Sequence, residues 1–334
     1  MNKTIIITGA TGFIGGHTAK VFKQAGYRII GVDHALTIPE TAPYFDQLLI
    51  DDFVDFTALA ADINNVDAII HCAGTSLVGP SIQNPHLYYW NNSSKTNDML
   101  EKLHNRGWHG KIVFSSSAAT YGIPPGNAPL LESDPQSPIS PYGWSKLFCE
   151  QIIKDHCAAH GFRGVALRYF NACGCDPDAM LGHVADDTHM IPRVLSAYRN
   201  NKTFSLYGDD YDTPDGTCVR DYLHVMDIAH AHLEAVCLAE AMHPKDFRAY
   251  NLGTGSGFSN KEIIQACRRA VGNKIDCKVA DRRIGDPDSL VADSTQFQTH
   301  TAWRPRFSDL DTIVETAWRW ESRNTKKLNL DLQV

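Results

Sequence analysis

The chain has 334 residues, a length that suits about two domains and an apolar core needing no covalent staples. Its 31 basic and 38 acidic residues give a net charge of −7 with no basic block, which argues against a nucleic-acid backbone or an anionic membrane as partner. No apolar run approaches the roughly 18 residues of a membrane span, no secretory signal follows Met1, and the nine cysteines are scattered without a CxxC pair, so a cytoplasmic protein with free thiols is expected.

The first half alternates strand and helix signals. Lys3 to Thr8 is a β-branched run ending at Gly9, and Phe13 to Ala25 carries helical spacing up to Gly26. Tyr27 to Asp33 and Val66 to Cys72 read as strands, and Asn84 to Arg106 as one long helix. Lys111 to Ser115 is a strand, Tyr142 to His160 a helix, and Gly164 to Tyr169 another strand. Apolar strands between helices indicate an α/β, doubly wound parallel sheet (Rossmann type) covered on both faces. After Asn171 the rhythm breaks: 173–187 and 207–217 read as loops. Helices are expected at 225–241, 261–271 and 310–323, and a short strand at 250–252. The expected division is a dinucleotide-binding domain over 1–171, with returning segments near 218–253, and a smaller interleaved substrate domain over 172–334.

Gly9, Gly12 and Gly15 form a GxxGxxG loop between the first strand and the first helix. Gly9 permits a tight turn, Gly12 lets the backbone approach a pyrophosphate, and Gly15 lets the helix pack closely on the strand. A helix N-terminus there offers free N–H groups to phosphates. The bland alternative is a glycine-rich turn with no ligand. Asp33 ends the second strand about 20 residues later with no arginine beside it. A carboxylate at that place accepts hydrogen bonds from an adenosine ribose and repels a 2′-phosphate, which favours NAD over NADP.

Tyr142 and Lys146 stand four residues apart at a helix start, hence on one face. A nearby ammonium favours a phenolate and so makes a tyrosine a usable base. The plain alternative is a surface pair. Ser115, Ser116 and Ser117 close the preceding strand, where a hydroxyl can face the same cleft.

The stretches ITGATGFIGG, HCAG, FSSSAATYG, SPYGWSKLFCEQ, LRYFNACG, DGTCVRDYLHVMDIA, YNLGTGSGFSN and RRIGDPDSLVAD run nearly end to end. In them the chain resembles the extended short-chain dehydrogenase/reductases, most closely the UDP-glucose (UDP-galactose) 4-epimerases. That resemblance implies NAD held by Gly9, Gly12, Phe13, Ile14 and Gly15, with Asp33 on the adenosine ribose and Asp52 and Phe53 bordering the adenine. Ala73, Gly74 and Asn92 would line the cofactor, and Tyr169 would flank the nicotinamide. Ser117, Tyr142 and Lys146 would be catalytic, with Lys146 also on the nicotinamide ribose and Ser117 and Tyr142 touching the sugar. Asn171, Arg220, Arg283 and Asp286 would grip the UDP. The reaction implied is reversible inversion at C4 of a UDP-hexose by a homodimer. An N-acetylhexosamine or pentose epimerase, or a net NAD-dependent oxidoreductase, are the alternatives.

Two positions depart from the family pattern. Ser76 stands where bacterial members often carry lysine, and Leu290 stands at the position that gates the sugar pocket, four residues after Asp286. Nucleotide-sugar dehydratases and UDP-glucuronate decarboxylases place an acid just after the catalytic Ser/Thr. Here Ala118 follows Ser117. His183, Asp186, Asp187 and His189 lie close in sequence, but their spacing fits no strict zinc pattern, so a sugar-cleft loop is expected instead of a metal. Cys173 and Cys175 read as loop thiols, and His71 as a hydrogen-bonded core residue.

Overall fold

The computed structural model describes residues 3–55, 63–183, 189–283 and 285–331. Five strands come first: β1 (Thr4–Thr8), β2 (Arg28–Asp33), β3 (Gln47–Ile50), β4 (Val66–His71) and β5 (Lys111–Ser117). With β6 (Arg163–Tyr169) and, after a long excursion, β11 (Phe247–Leu252), they build one sheet in the order β11-β6-β5-β4-β1-β2-β3. Every pairing in it is parallel. The doubly wound α/β reading holds.

The apolar strands are buried on both faces, as a covered parallel sheet requires. In β1, Ile5 and Ile7 join one core with Ala19 and Phe22 of α1 (Phe13–Gln24) and with Ile228, Ala231 and Ala235 further along the chain. Ile6 points the other way, into a second core with Met99, Leu100, Leu103, Cys149 and Ile153.

Three expectations change. The sequence reading missed β3, a short edge strand with no buried residue to mark it. Cys72 lies just past the end of β4, and Ser117 still belongs to β5. The single helix expected over 84–106 is instead α3 (Pro85–Tyr88), a π turn (Tyr89–Ser94) and α4 (Lys95–Asn105), preceded by α2 (Val78–Gln83). Residues 84–106 keep helical spacing, but a π turn interrupts the helix, and Asn92 within it bonds to Thr75 in the loop after β4.

The long helix α5 (Pro141–His160) starts where expected because Ser140 caps it, accepting from Gly143 N–H at 3.2 Å, and Pro141 fits its first turn. It stops at Gly161, whose φ is +80°. The second half holds α6 (Met190–Arg199), β8 (Phe204–Tyr207), β9 (Val219–Arg220), β10 (Tyr222–His224) and α7 (Val225–Ala241). After β11 follow β12 (Phe258–Ser259), α8 (Asn260–Val271), β13 (Cys277–Ala280), β14 (Ser289–Leu290), α9 (Thr295–His300) and α10 (Leu310–Asp331). The region 173–187 that read as loop is preceded by β7 (Asn171–Cys173), which pairs with β10. A separate core there joins Ile191, Leu195, Phe204, Leu206, Ile263 and Ile313. α7 packs under the first core, and β11 completes the edge of the sheet beside β6. No helix among the described residues is long and apolar enough to cross a membrane.

Candidate active site

The glycine loop is built by close approach. Gly9 has φ of +65°, and a Cβ on it would meet Ala73 N at 2.7 Å. A Cβ on Gly15 would sit 2.1 Å from Gly9 O, so only glycine lets α1 start this near β1. Gly12 is the N-cap of α1 and no side chain caps that end. Phe13, Ile14 and Gly15 therefore present first-turn N–H groups, the arrangement that receives a phosphate. The residues fit a dinucleotide.

Asp33 does more than its sequence position implied. One of its oxygens accepts from Thr11 N–H and Thr11 Oγ1, both at 2.9 Å, and the other from His34 N–H at 2.9 Å. It pins the glycine loop to the end of β2, a role for Thr11 that no motif announced. Asp52 pairs with Lys95 and accepts from Val54 N–H at 3.0 Å. Partial burial opposes ionisation of Asp52, but the Lys95 bond overrides it and holds the carboxyl below its usual range. Phe53 lies 5.0 Å from the ring of His71. His71 is a core residue as expected, bonded to Thr8 at 2.7 Å and Thr96 at 2.9 Å, and burial pushes it down to about 3.

Ala73 and Gly74 lead into a turn that Asn92 holds from the π turn. Asn92 Oδ1 accepts from Thr75 N–H at 2.7 Å, and Nδ2 donates to Thr75 O at 3.0 Å and to Ser145 Oγ at 2.9 Å. A Cβ on Gly74 would lie 2.9 Å from Asn92 Oδ1 and 3.7 Å from Lys146 Nζ. Three distant segments thus meet at one point.

Lys146 is buried, donates to Ser115 O at 2.9 Å, and lies 6.0 Å from the Tyr142 ring centroid. Tyr142 is half-buried and edge-on to Tyr88, with no hydroxyl partner among the described residues. A Cβ on Gly143 would lie 2.4 Å from Ala119 O. The first turn of α5 is therefore pressed onto the turn that follows Ser117, and Gly143 is the residue that permits it. Ser117 ends β5 opposite Tyr169 of β6, its Oγ accepting from Ala119 N–H at 3.1 Å. Ser115 is engaged by His232 at 3.0 Å and Ser116 by Glu150, so of the three serines Ser117 is left for the cleft. Burial raises the Tyr169 phenol well above its ordinary range, which keeps it neutral.

Asn171, Arg220, Arg283 and Asp286 line a single cavity of about 220 Å³, whose wall includes Phe13 of the glycine loop. Arg220 lies 3.6 Å from Asp286. The Arg283 guanidinium sits 4.2 Å from the Tyr207 ring centroid and that of Arg193 5.6 Å from it. Sequence reasoning missed Arg193 and Tyr207, which carry no motif and converge only through β8 and α6. Beside Arg220, buried Asp221 accepts from Thr254 N–H at 2.9 Å, Gly255 N–H at 3.2 Å and Ala292 N–H at 3.2 Å, tying β9 and β10 to the segments after β11 and β14. Leu290 pairs with Arg220 across β14 and β9 and packs on the cluster of Ala118 and Phe170, the residues next to Ser117 and Tyr169. His183 and His189 face each other at 4.9 Å and line the cavity, while Asp186 and Asp187 lie outside the described residues.

The profile of the NAD dependent epimerase/dehydratase family matches residues 5–253. The chain is 41% identical to a UDP-glucose 4-epimerase of Halalkalibacterium halodurans over 96% of each chain. The UDP-glucose 4-epimerase of Stenotrophomonas maltophila, solved with NAD and formylated UDP-arabinopyranose, matches with a TM-score of 0.91 at 29% identity, over 98% of this chain and 100% of that one. The Bifidobacterium longum UDP-glucose 4-epimerase, in complex with NAD+ and UDP, matches at 0.86 and 34% identity, over 97% and 99%. With its glycine loop, its tyrosine–lysine pair and these full-length matches, the chain belongs to the NAD dependent epimerase/dehydratase family, among the extended short-chain dehydrogenase/reductases.

Proposed function

We propose that the protein interconverts UDP-glucose and UDP-galactose by C4 epimerisation with a resident NAD, in galactose metabolism. The observation that carries this reading is Lys146, bonded to Ser115 O on the strand that ends in Ser117 and 6.0 Å from the Tyr142 ring, together with a cavity that runs from Phe13 of the glycine loop to Arg193, Arg220 and Arg283. NAD held by the glycine loop of Gly9, Gly12 and Gly15 would supply reversible hydride transfer at C4 of the sugar. Lys146 stabilises the phenolate form of Tyr142, which takes the proton of the 4-hydroxyl and becomes the neutral phenol. Ser117 hydrogen-bonds the same sugar oxygen. Arg220 and Arg283 hold the diphosphate, where a planar guanidinium suits paired phosphate oxygens. Asn171 and Asp286 orient the nucleotide, and Tyr207, on the cavity wall, has the Arg283 and Arg193 guanidiniums 4.2 and 5.6 Å from its ring centroid. Tight hold on UDP leaves the sugar free to turn over and present its other face.

In this reading residues 1–171, with α7 and β11, form the cofactor domain, and the core around α6, α8 and α10 forms the substrate domain. The protein works as a homodimer, supported by the exposed Trp144 and Phe148, whose ring centroids lie 5.6 Å apart. A cytoplasmic location is supported by nine free thiols.

The test is to incubate the purified protein with UDP-galactose and no added NAD. UDP-glucose is expected to form, and denatured protein is expected to release close to one NAD(H) per chain. A requirement for stoichiometric NAD with accumulation of free NADH overturns the reading in favour of a net oxidoreductase.

A further inference from the structure

Away from the cleft, the C-terminal ends of α4 and α5 carry a group of side chains that the chemistry above does not use. Glu101 and His104 stand one turn apart on α4, and His156 and His160 one turn apart on α5. One donor atom each from Glu101, His156 and His160 lies within 4.8 Å of the others. The His104 and His160 rings stack at 3.7 Å, and the His156 ring centroid is 5.2 Å from that of His160.

Hydrogen bonding explains only part of this. His156 Nε2 meets Asn97 Oδ1 at 3.2 Å, and the His160 carbonyl accepts from His109 at 3.0 Å. The Nδ1 atoms of His104 and His156 are buried and have no partner. Folded proteins leave few such nitrogens unsatisfied, and each one calls for a reason. Imidazoles joined by one carboxylate make the donor set that suits zinc and its neighbours in the first transition row. Tetrahedral zinc with bonds near 2.0–2.1 Å spaces its ligand atoms by about 3.4 Å. Binding therefore requires these atoms, within 4.8 Å of one another, to draw together.

We propose that Glu101, His156 and His160, joined by His104 as it leaves its stack, bind one divalent transition-metal ion, best matched by zinc, that clamps α4 to α5. The ion is structural. His156 follows Lys146 by ten residues on the same helix, about 15 Å along its axis, too far to reach the reacting sugar.

The experiment uses the full-length protein with its cofactor, stripped with a chelator and titrated calorimetrically with zinc chloride. One equivalent per chain is expected to bind with micromolar affinity, and zinc is expected to raise the melting temperature, as any ligand of the folded state does. His156→Ala/His160→Ala is expected to weaken binding at least ~100-fold and to abolish the thermal shift. Glu101→Ala, at an exposed position, keeps the test decisive should the double variant fold poorly, with at least ~10-fold weaker binding expected. His189→Ala in the cavity is expected to bind zinc as the parent does. No saturable uptake by the parent, or uptake unchanged in Glu101→Ala and the double variant, overturns the proposal.

Discussion

The ammonium of Lys146 donates to the carbonyl oxygen of Ser115 at 2.9 Å, joining α5 to β5 beneath the cleft. One of its three protons is committed to that bond, and the charge is held 6.0 Å from the Tyr142 ring centroid. Helix α5 is thus tied by its own lysine to the strand that ends in Ser117.

Tyr142→Phe keeps the ring and its edge-on packing against Tyr88 and removes only the hydroxyl. The expected loss in kcat is at least ~10²-fold, the usual scale of general acid–base catalysis. Bound NAD and the melting temperature are expected to stay unchanged. Turnover within a few-fold of the parent would remove Tyr142 from its role.

Asn92→Ala deletes three hydrogen bonds and leaves Thr75 N–H without its acceptor. An unsatisfied buried group costs about 1–3 kcal/mol, or roughly 10- to 100-fold in affinity if the cost falls on the cofactor-bound state. The expected result is substoichiometric NAD(H) after purification. Asn92→Asp keeps the acceptor and loses the donor, so it is expected to fall in between. Full cofactor content in Asn92→Ala contradicts a positioning role.

Leu290 borders the residues that follow Ser117 and Tyr169. An N-acetyl group on a turning sugar sweeps toward that border, where overpacking costs about 1–3 kcal/mol. N-acetylated UDP-hexoses are expected to turn over about 10- to 100-fold more slowly than UDP-glucose and UDP-galactose. Leu290→Ser is expected to narrow the gap by raising the N-acetyl rate. An unchanged ratio of kcat/KM values in a stable variant shows that Leu290 is packing alone.

Four buried histidines predict the acid limit of stability. Burial lowers His17 to about 4, His71 to about 3, His224 to about 3 and His232 to about 4. In the unfolded chain each takes a proton near pH 6.5. The unfolded state therefore binds more protons below that pH. Their contribution is complete above about 6.5 and declines as pH falls toward about 4. The urea midpoint is expected to drop across that window. A flat midpoint from pH 6.5 to 4 contradicts the neutral, buried state of these rings.

The parts of the site legible in the sequence were those written in contiguous residues. Gly9, Gly12 and Gly15, the Tyr142–Lys146 spacing and the apolar strands each encode a local geometry. What stayed hidden depends on contacts between distant segments. Asn92 reads as part of a helix, and its bond to Thr75 shows only in the fold. Ser115, Ser116 and Ser117 look alike until His232 and Glu150 occupy the first two. Thr11, Arg193 and Tyr207 acquire meaning only beside Asp33 and Arg283. Strand β3 escaped because an exposed edge strand carries no alternating burial to betray it.

The position of β11 bears on how the polypeptide is made. This strand zips along β6 from Gly164 beside Phe247 to Tyr169 beside Leu252. A nascent chain that has left the ribosome only as far as β6 exposes that flank as a bare row of amides and carbonyls, a template for wrong pairing. The helix that shields Ile5 and Phe22 has not yet been synthesised at that moment either. Such long-range closure makes folding slow, and the half-made product sticky. Translation past Leu252, not completion of the first sheet strands, is the step at which this chain becomes safe from aggregation.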